Sequence, residues 1–315
     1  LIISPVLDAA FLAHDKAANL AKKRYHRLGQ LAIVLVAMSA IFTIAEALVL
    51  PQVFQNVALT YVAVTMAGIG LFLQIYLIVT KQKQKWLVNR FASERIRSLK
   101  FQAYLVAQDA RNIDDLKAGA AAFTREKLAK LENELNMGIA VLRNFSPSKI
   151  IDMLPAAKAP ASETLSALAF EAYNELRVEY QRNFALAEVA AFTGRRRIFN
   201  STQDMIYLGA AIFAFLSLGA KIGGSLGWSI DTGWIDFIAV TLFVMGASEA
   251  IMDNALLEEQ SQTRYEQYAR DIDEAAARHA SKGGTFSDLV LDMEQICLNE
   301  LDLFCRAAER ISYRF

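Results

Sequence analysis

Glycine and proline are scarce, 15 and 5 among 315 residues. This excludes a collagen, a disordered chain and a turn-rich β sandwich. Two cysteines, Cys297 and Cys305, are too few for a disulfide framework. Set eight apart on one helix, they share a face but lie ~12 Å apart along the axis, beyond disulfide reach. They read as reduced thiols. The three histidines, His14, His26 and His279, have no partner at metal-ligand spacing, so no metal site is expected and they read as surface or packing residues. Charge of one sign is also missing. The 33 basic and 33 acidic residues cancel, whereas a nucleic-acid binder is normally basic; no nucleic-acid partner is expected. No segment outside the apolar runs alternates like a strand, so no strand-borne glycine loop can cradle a phosphate. No serine or cysteine has a base nearby. We therefore expect neither an enzyme nor a cofactor.

What is present is hydrophobicity, 54% of residues, with a mean hydropathy of +0.25. It is concentrated. From 28 to 80 the one charge is Glu46. The run 31–50 is long enough to cross a bilayer as a helix, and so is 58–80, with a polar break at Pro51, Gln52 and Asn56 between them. A second, weaker pair follows. Residues 205–220 are uncharged, and 233–252 is of span length but carries Asp236 and Glu249. Buried helices of a soluble domain are the alternative for this pair. Tyr207, Trp228 and Trp234, placed as interfacial aromatics, favour spans.

Lysine and arginine set the orientation. Lys22, Lys23, Arg24 and Arg27 precede the first span, Lys81, Lys83, Lys85 and Arg90 follow the second, and Arg195, Arg196 and Arg197 precede the third. The turns at 51–57 and 221–232 hold no basic residue and one. By the positive-inside rule both turns are outside, and the long segments and both termini are cytosolic. The two hairpins enter from the same side.

The expected fold is all-α: a polytopic membrane protein with two transmembrane hairpins and a cytosolic helical bundle. Residues 1–145 form a first module with spans at about 31–50 and 58–80, 146–162 a proline-containing linker, and 163–315 a second module with spans at about 204–222 and 233–252. The segment 86–110 is expected to continue the second span without a break, and another helix to cover 113–143. Ser162 caps the next helix, which runs towards the third span. A charged helix covers 255–280 and stops at SKGG. Thr285 and Asp288 then form a capping box. Beyond it Leu289, Met293, Ile296, Glu300, Leu303 and Ala307 lie on or near one face. Helices at 1–27 and 285–315 are expected to pack in the bundle.

Three carboxylates fall within the apolar runs. Glu46 and Asp236 lie near the outer level, and Glu249 lies ~20 Å deeper than Asp236. One reading is interfacial placement. The other is pore lining, as acidic rings at the two mouths of a cation-permeable pore built by several subunits.

The helix after the first hairpin carries Trp86, Arg90, Glu94, Arg95 and Arg97. With it, the chain resembles the SLATT group, the SMODS- and SLOG-associating two-transmembrane effector domains of bacterial conflict systems. Their pattern is Trp, then Arg, then Ala-Glu-Arg-Leu-Arg; here Ser93 replaces the Ala and Ile96 the Leu. The leading helix (Phe11, Asp15, Ala17, Ala18, Ala21, Tyr25) is similar to that of four-span relatives joined to a SLOG-type nucleotide-sensing domain. So are Glu179, Tyr180, Arg182 and Asn183, and the late Glu300 to Phe304. The resemblance implies an oligomeric inner-membrane effector whose pore or channel responds to a nucleotide-derived signal, in anti-phage defence. The sensor would lie upstream of Leu1 or in a partner chain, since a chain opening on Leu1 is expected to be a piece of a longer one. A non-conducting membrane scaffold or receptor subunit is the alternative. On physical grounds Trp86 and the arginines also suit anchoring at the lipid surface, with Arg90 and Glu94 pairing at i,i+4.

Overall fold

A computed structural model describes residues 4–48, 57–154, 160–225, 233–256, 258–282 and 285–310. Every regular element among them is helical. Helix α1 is Pro5–Leu48, α2 Val57–Val79 and α3 Gln82–Gln102. A 3₁₀ segment, Ala103–Gln108, leads to α4, Ile113–Leu135. Two short helices follow, α5 Ala140–Arg143 and α6 Pro147–Ile151. Then come α7 Glu163–Tyr173, a π-helical segment Asn174–Glu179, α8 Tyr180–Ser225, α9 Gly233–Leu256, α10 Glu258–Lys282 and α11 Phe286–Arg310. The turn residues 51–56 and 226–232 and the glycines 283–284 lie outside the described residues.

Four helices hold stretches long and apolar enough to cross a membrane, within Pro5–Leu48, Ala58–Val79, Met205–Ile222 and Gly233–Met252. The protein is all-α and polytopic. The expected leading helix and first span are one helix, α1. Ser4 starts it by accepting from Leu7 N–H (3.4 Å), with Pro5 at the first helical position, where no N–H is needed.

Two expected continuities are broken. The second span does not run into the next helix: α2 ends at Val79. The Thr80 hydroxyl donates to the Tyr76 carbonyl (2.7 Å), and Lys81 adopts a left-handed φ of 52°. This is costly for a residue with a Cβ but turns the chain after the last apolar residue. The helix expected over 113–143 ends at Leu135, because Gly138 takes φ +60° and its N–H closes on the Leu135 carbonyl (3.0 Å). The caps hold. Ser162 accepts from Leu165 N–H (3.4 Å). Thr285 and Asp288 bond reciprocally, Asp288 Oδ2 accepting from Thr285 N–H at 2.8 Å.

The chain groups into two compact units, each drawing on both chain halves. One is 1–22, 83–193 and 259–310, and the other is 23–82, 194–258 and 311–315. We call them the helical unit and the span unit. The helical unit has an apolar core of Phe101, Tyr104, Leu116, Tyr173, Ile272 and Met293, among others. In the span unit the apolar residues mostly face outward, with no more than 17% of each span buried. Close approach within its hairpins uses glycine. A Cβ on Gly70 would meet Val36 Cγ2 at 2.8 Å, and one on Gly246 would meet Tyr207 Cε1 at 2.9 Å. Gly68 meets nothing within 4 Å.

Candidate functional site

The motif residues on α3 divide between two faces. Arg90, Glu94 and Arg97 share one and form a ladder. Arg90 Nη2 lies 2.7 Å from Glu94 and Arg97 Nη1 3.1 Å from its other oxygen, the pairing the spacing predicts. Asp15 of α1 stands 3.7 Å from Arg90, and the Arg97 guanidinium lies 5.0 Å over the Phe11 ring. The leading helix thus packs on the motif helix through residues the sequence singles out. Arg95 points elsewhere. Trp86, expected to anchor at lipid, is instead 4% exposed. Its ring packs edge-on against Phe304 at 6.2 Å, with Lys22 5.8 Å over it.

Beside the ladder lies a polar centre inside the helical unit. Glu294 of α11 is fully buried. Its two oxygens accept from Arg177 Nε (2.9 Å) and Nη2 (3.1 Å), from Ser98 Oγ (2.5 Å) and from Tyr173 Oη (3.3 Å). Gln102 in turn donates to Ser98 Oγ (2.8 Å), and the Phe101 ring lies 4.6 Å from the Arg177 guanidinium. Arg177 sits in the π-helical segment, whose extra residue per turn changes the direction of the side chains that follow. A buried carboxylate with four donors and a buried arginine with two good bonds form a satisfied pair. Removing one member strands the other.

A cavity of about 30 Å³ separates this centre from the ladder, lined by Arg90, Glu94, Arg97, Arg177, Tyr268 and Glu300, among others. Tyr268 Oη donates to Gln181 (3.0 Å) and lies 3.1 Å from Cys297 Sγ. Burial pushes the Cys297 thiol up to about 12, with Arg177 opposing, so this sulfur is a thiol and no nucleophile near neutral pH. Burial also raises the Glu300 carboxyl, which pairs with Arg264 at 3.3 Å. Among the described residues no three metal-ligating side chains converge. The arrangement joins α1, α3, the π segment, α10 and α11 through charges, a geometry suited to holding or passing a conformational state.

Sequence reasoning misses Arg177, Glu294 and Arg264. A carboxylate on an apolar stripe reads as a flaw in the stripe, and its partner is 117 positions away. The expected face of α11 is corrected in part: Leu289 and Met293 are buried as expected, and so are Val290, Glu294, Leu298, Leu301, Cys305 and Ala308, whereas Leu303 is 52% exposed.

Glu46 and Asp236 each bond within their own hairpin. Glu46 accepts from Thr60 Oγ1 (2.6 Å). Asp236 accepts from Ser217 Oγ and pairs with Lys221 at 3.0 Å. Glu249 is half-buried; thirteen residues beyond Asp236 on α9, it lies ~140° around the helix from it.

Residues 9–159 match the family model of SMODS and SLOG-associating 2TM effector domain 3. No curated protein and no solved structure matches the chain. The matched segment contains the first hairpin, the ladder on α3 and the helices up to the linker, while the second hairpin lies beyond it. The first half of this four-span chain, two apolar spans followed by an Arg–Glu–Arg helix, is thus similar to the SMODS and SLOG-associating 2TM effector domains.

Proposed function

We propose that this protein is an oligomeric effector of the bacterial inner membrane, with both termini cytosolic. It forms a pore or channel in response to a nucleotide-derived signal, in anti-phage defence, and catalyses nothing itself. The carrying observation is the match to an effector domain named for its association with SMODS and SLOG domains, on a chain with four spans. The basic residues flanking the first three spans support the orientation. Glu46 and Glu249 support cation passage, being carboxylates on apolar helices. Asp236 is the weakest pore-lining candidate, since Lys221 neutralises it within the hairpin. A nucleotide-sensing partner, upstream or on another chain, supplies the signal.

The test is ion and dye flux from proteoliposomes, with and without candidate nucleotides, on the wild type and on Glu46→Gln and Glu249→Gln. A nucleotide-dependent flux is expected, with reversal potentials shifted in the variants. Unchanged cation preference in both variants removes the acidic rings. No flux under any condition, with a monomer in detergent, removes the pore. The second reading, a non-conducting scaffold or receptor subunit, then stands on the charged ladder, which ties the leading helix to α3 without needing a conduction path.

A further inference from the structure

Arg95 lies off the ladder, on the side of α3 that faces α4 and α6. It is 6% exposed, and its Nε and Nη1 are enclosed with no hydrogen-bond acceptor among the described residues. The Phe145 ring, 5.7 Å from the guanidinium, covers one side. A buried guanidinium without acceptors is unfavourable, and a good acceptor brought to it is therefore bound well. Burial holds Arg95 down to about 10, with Glu134 and Glu294 opposing, so it is charged at neutral pH.

Arg95 lines a cleft of about 30 Å³ together with Lys127, Lys130 and Glu134 of α4. Neither lysine is tied to a buried carboxylate. Lys130 Nζ lies 3.3 Å from Met153 Sδ, a weak acceptor. Lys127 pairs at 3.5 Å with Glu126, whose side chain is 73% exposed. Residues 127, 130 and 134 recur at helical spacing on one face of α4. Within the cleft Arg95, Lys127 and Lys130 face the one carboxylate of Glu134, and Glu126 pairs with Lys127 at the exposed side, so a net positive charge remains. A tetrahedral oxyanion, with several acceptor oxygens, suits these donors better than a second carboxylate.

We infer that this cleft is a phosphoryl-oxyanion site, in which the Arg95 Nε–H and Nη1–H donate from inside and Lys127 and Lys130 close over the group from outside. So small a cleft admits one tetrahedral head and leaves the rest of its molecule outside. The head is that of a soluble phosphoester or of an anionic lipid; both present the same oxygens. The site does not depend on whether the chain conducts ions.

The full chain, purified in detergent and stripped of lipid, is unfolded thermally in inorganic phosphate and in chloride at equal ionic strength. In a second arm it is placed in nanodiscs of phosphatidylglycerol or of phosphatidylcholine. Wild type is expected to gain a saturable rise in Tm. Phosphate raising it in detergent assigns a soluble ligand, and phosphatidylglycerol alone raising it assigns a headgroup. Lys127→Gln with Lys130→Gln weakens the response about ten- to a hundredfold in apparent Kd. Arg95→Met abolishes it and, without ligand, is more stable than wild type. The site is refuted if neither phosphate nor phosphatidylglycerol raises Tm, or if wild type and the double lysine variant respond alike.

Discussion

In the helical unit charges are inside and sealed by aromatic and aliphatic side chains, whereas in the span unit the aliphatic side chains are outside. Glu294 is fully buried, while Phe72 and Phe215 are 64% and 76% exposed. In the helical unit α10 and α11 are amphipathic, burial of apolar area drives such packing, and a buried charge is tolerated where every bond is made. The spans are apolar all round, so lipid covers them at no loss and their helices meet through small residues such as Gly70 and Gly246. The same residue type therefore has opposite significance in the two units.

Predictions follow from that contrast, the largest first. Arg177→Met strands the Glu294 carboxylate and is expected to cost about 3–5 kcal/mol. Arg177→Met with Glu294→Leu recovers most of it, as seen in denaturant unfolding followed by tryptophan fluorescence. Equal loss in single and double variants would show that packing, not charge, holds the centre. Phe91→Ala, at a residue 1% exposed and edge-on to Phe145, costs about 3–5 kcal/mol. Phe72→Ala on α2 changes stability in detergent by less than about 0.5 kcal/mol. Similar losses at both would mean that something covers Phe72. Gly70→Val forces α1 and α2 apart and costs about 1–3 kcal/mol, whereas Gly68→Ala is neutral. Cysteine pairs across the first hairpin, scored by cross-linking rate, read the separation.

The last effect is on pH. The Cys297 thiol keeps its proton to about 12 in the folded state, while an exposed thiol loses it from about 9. The unfolded chain thus binds fewer protons between these values, so stability falls as pH rises through that window. Tyr268, raised well above its ordinary value by burial, acts with the same sign; Arg95, lowered to about 10, acts with the opposite sign. Cys297→Ala is expected to flatten the alkaline limb of an unfolding titration. Iodoacetamide at pH 8 is expected to leave the folded thiol unmodified; rapid native labelling would place Cys297 in the open.

Much was legible from the residues because it is local. Ser162, Thr285 and Asp288 announce helix starts through short-range bonds, and Arg90 and Glu94 announce their pair through helical spacing. The break at Lys81 was not legible, since a lysine gives no warning of a positive φ. Nor was the inward turn of Trp86, because an interfacial tryptophan and a core tryptophan look alike until the neighbouring helix is placed. The exposure of Leu303 and the burial of Glu294 were hidden for the same reason: only the partner helix decides which side of α11 is inside.

By itself the sequence determined the number of spans, their lengths and the all-helical class. These follow from how long the chain stays apolar and how often the apolar residues recur, which are properties of the chain measured against water and lipid. Tertiary structure decided which charges meet. It brought Arg177 to Glu294 and Arg264 to Glu300, and left Arg95 Nε and Nη1 without an acceptor among the described residues, beside two lysines of another helix. A charge is stabilised by what stands within about 4 Å of it, and that distance is set by packing between segments that are far apart along the chain.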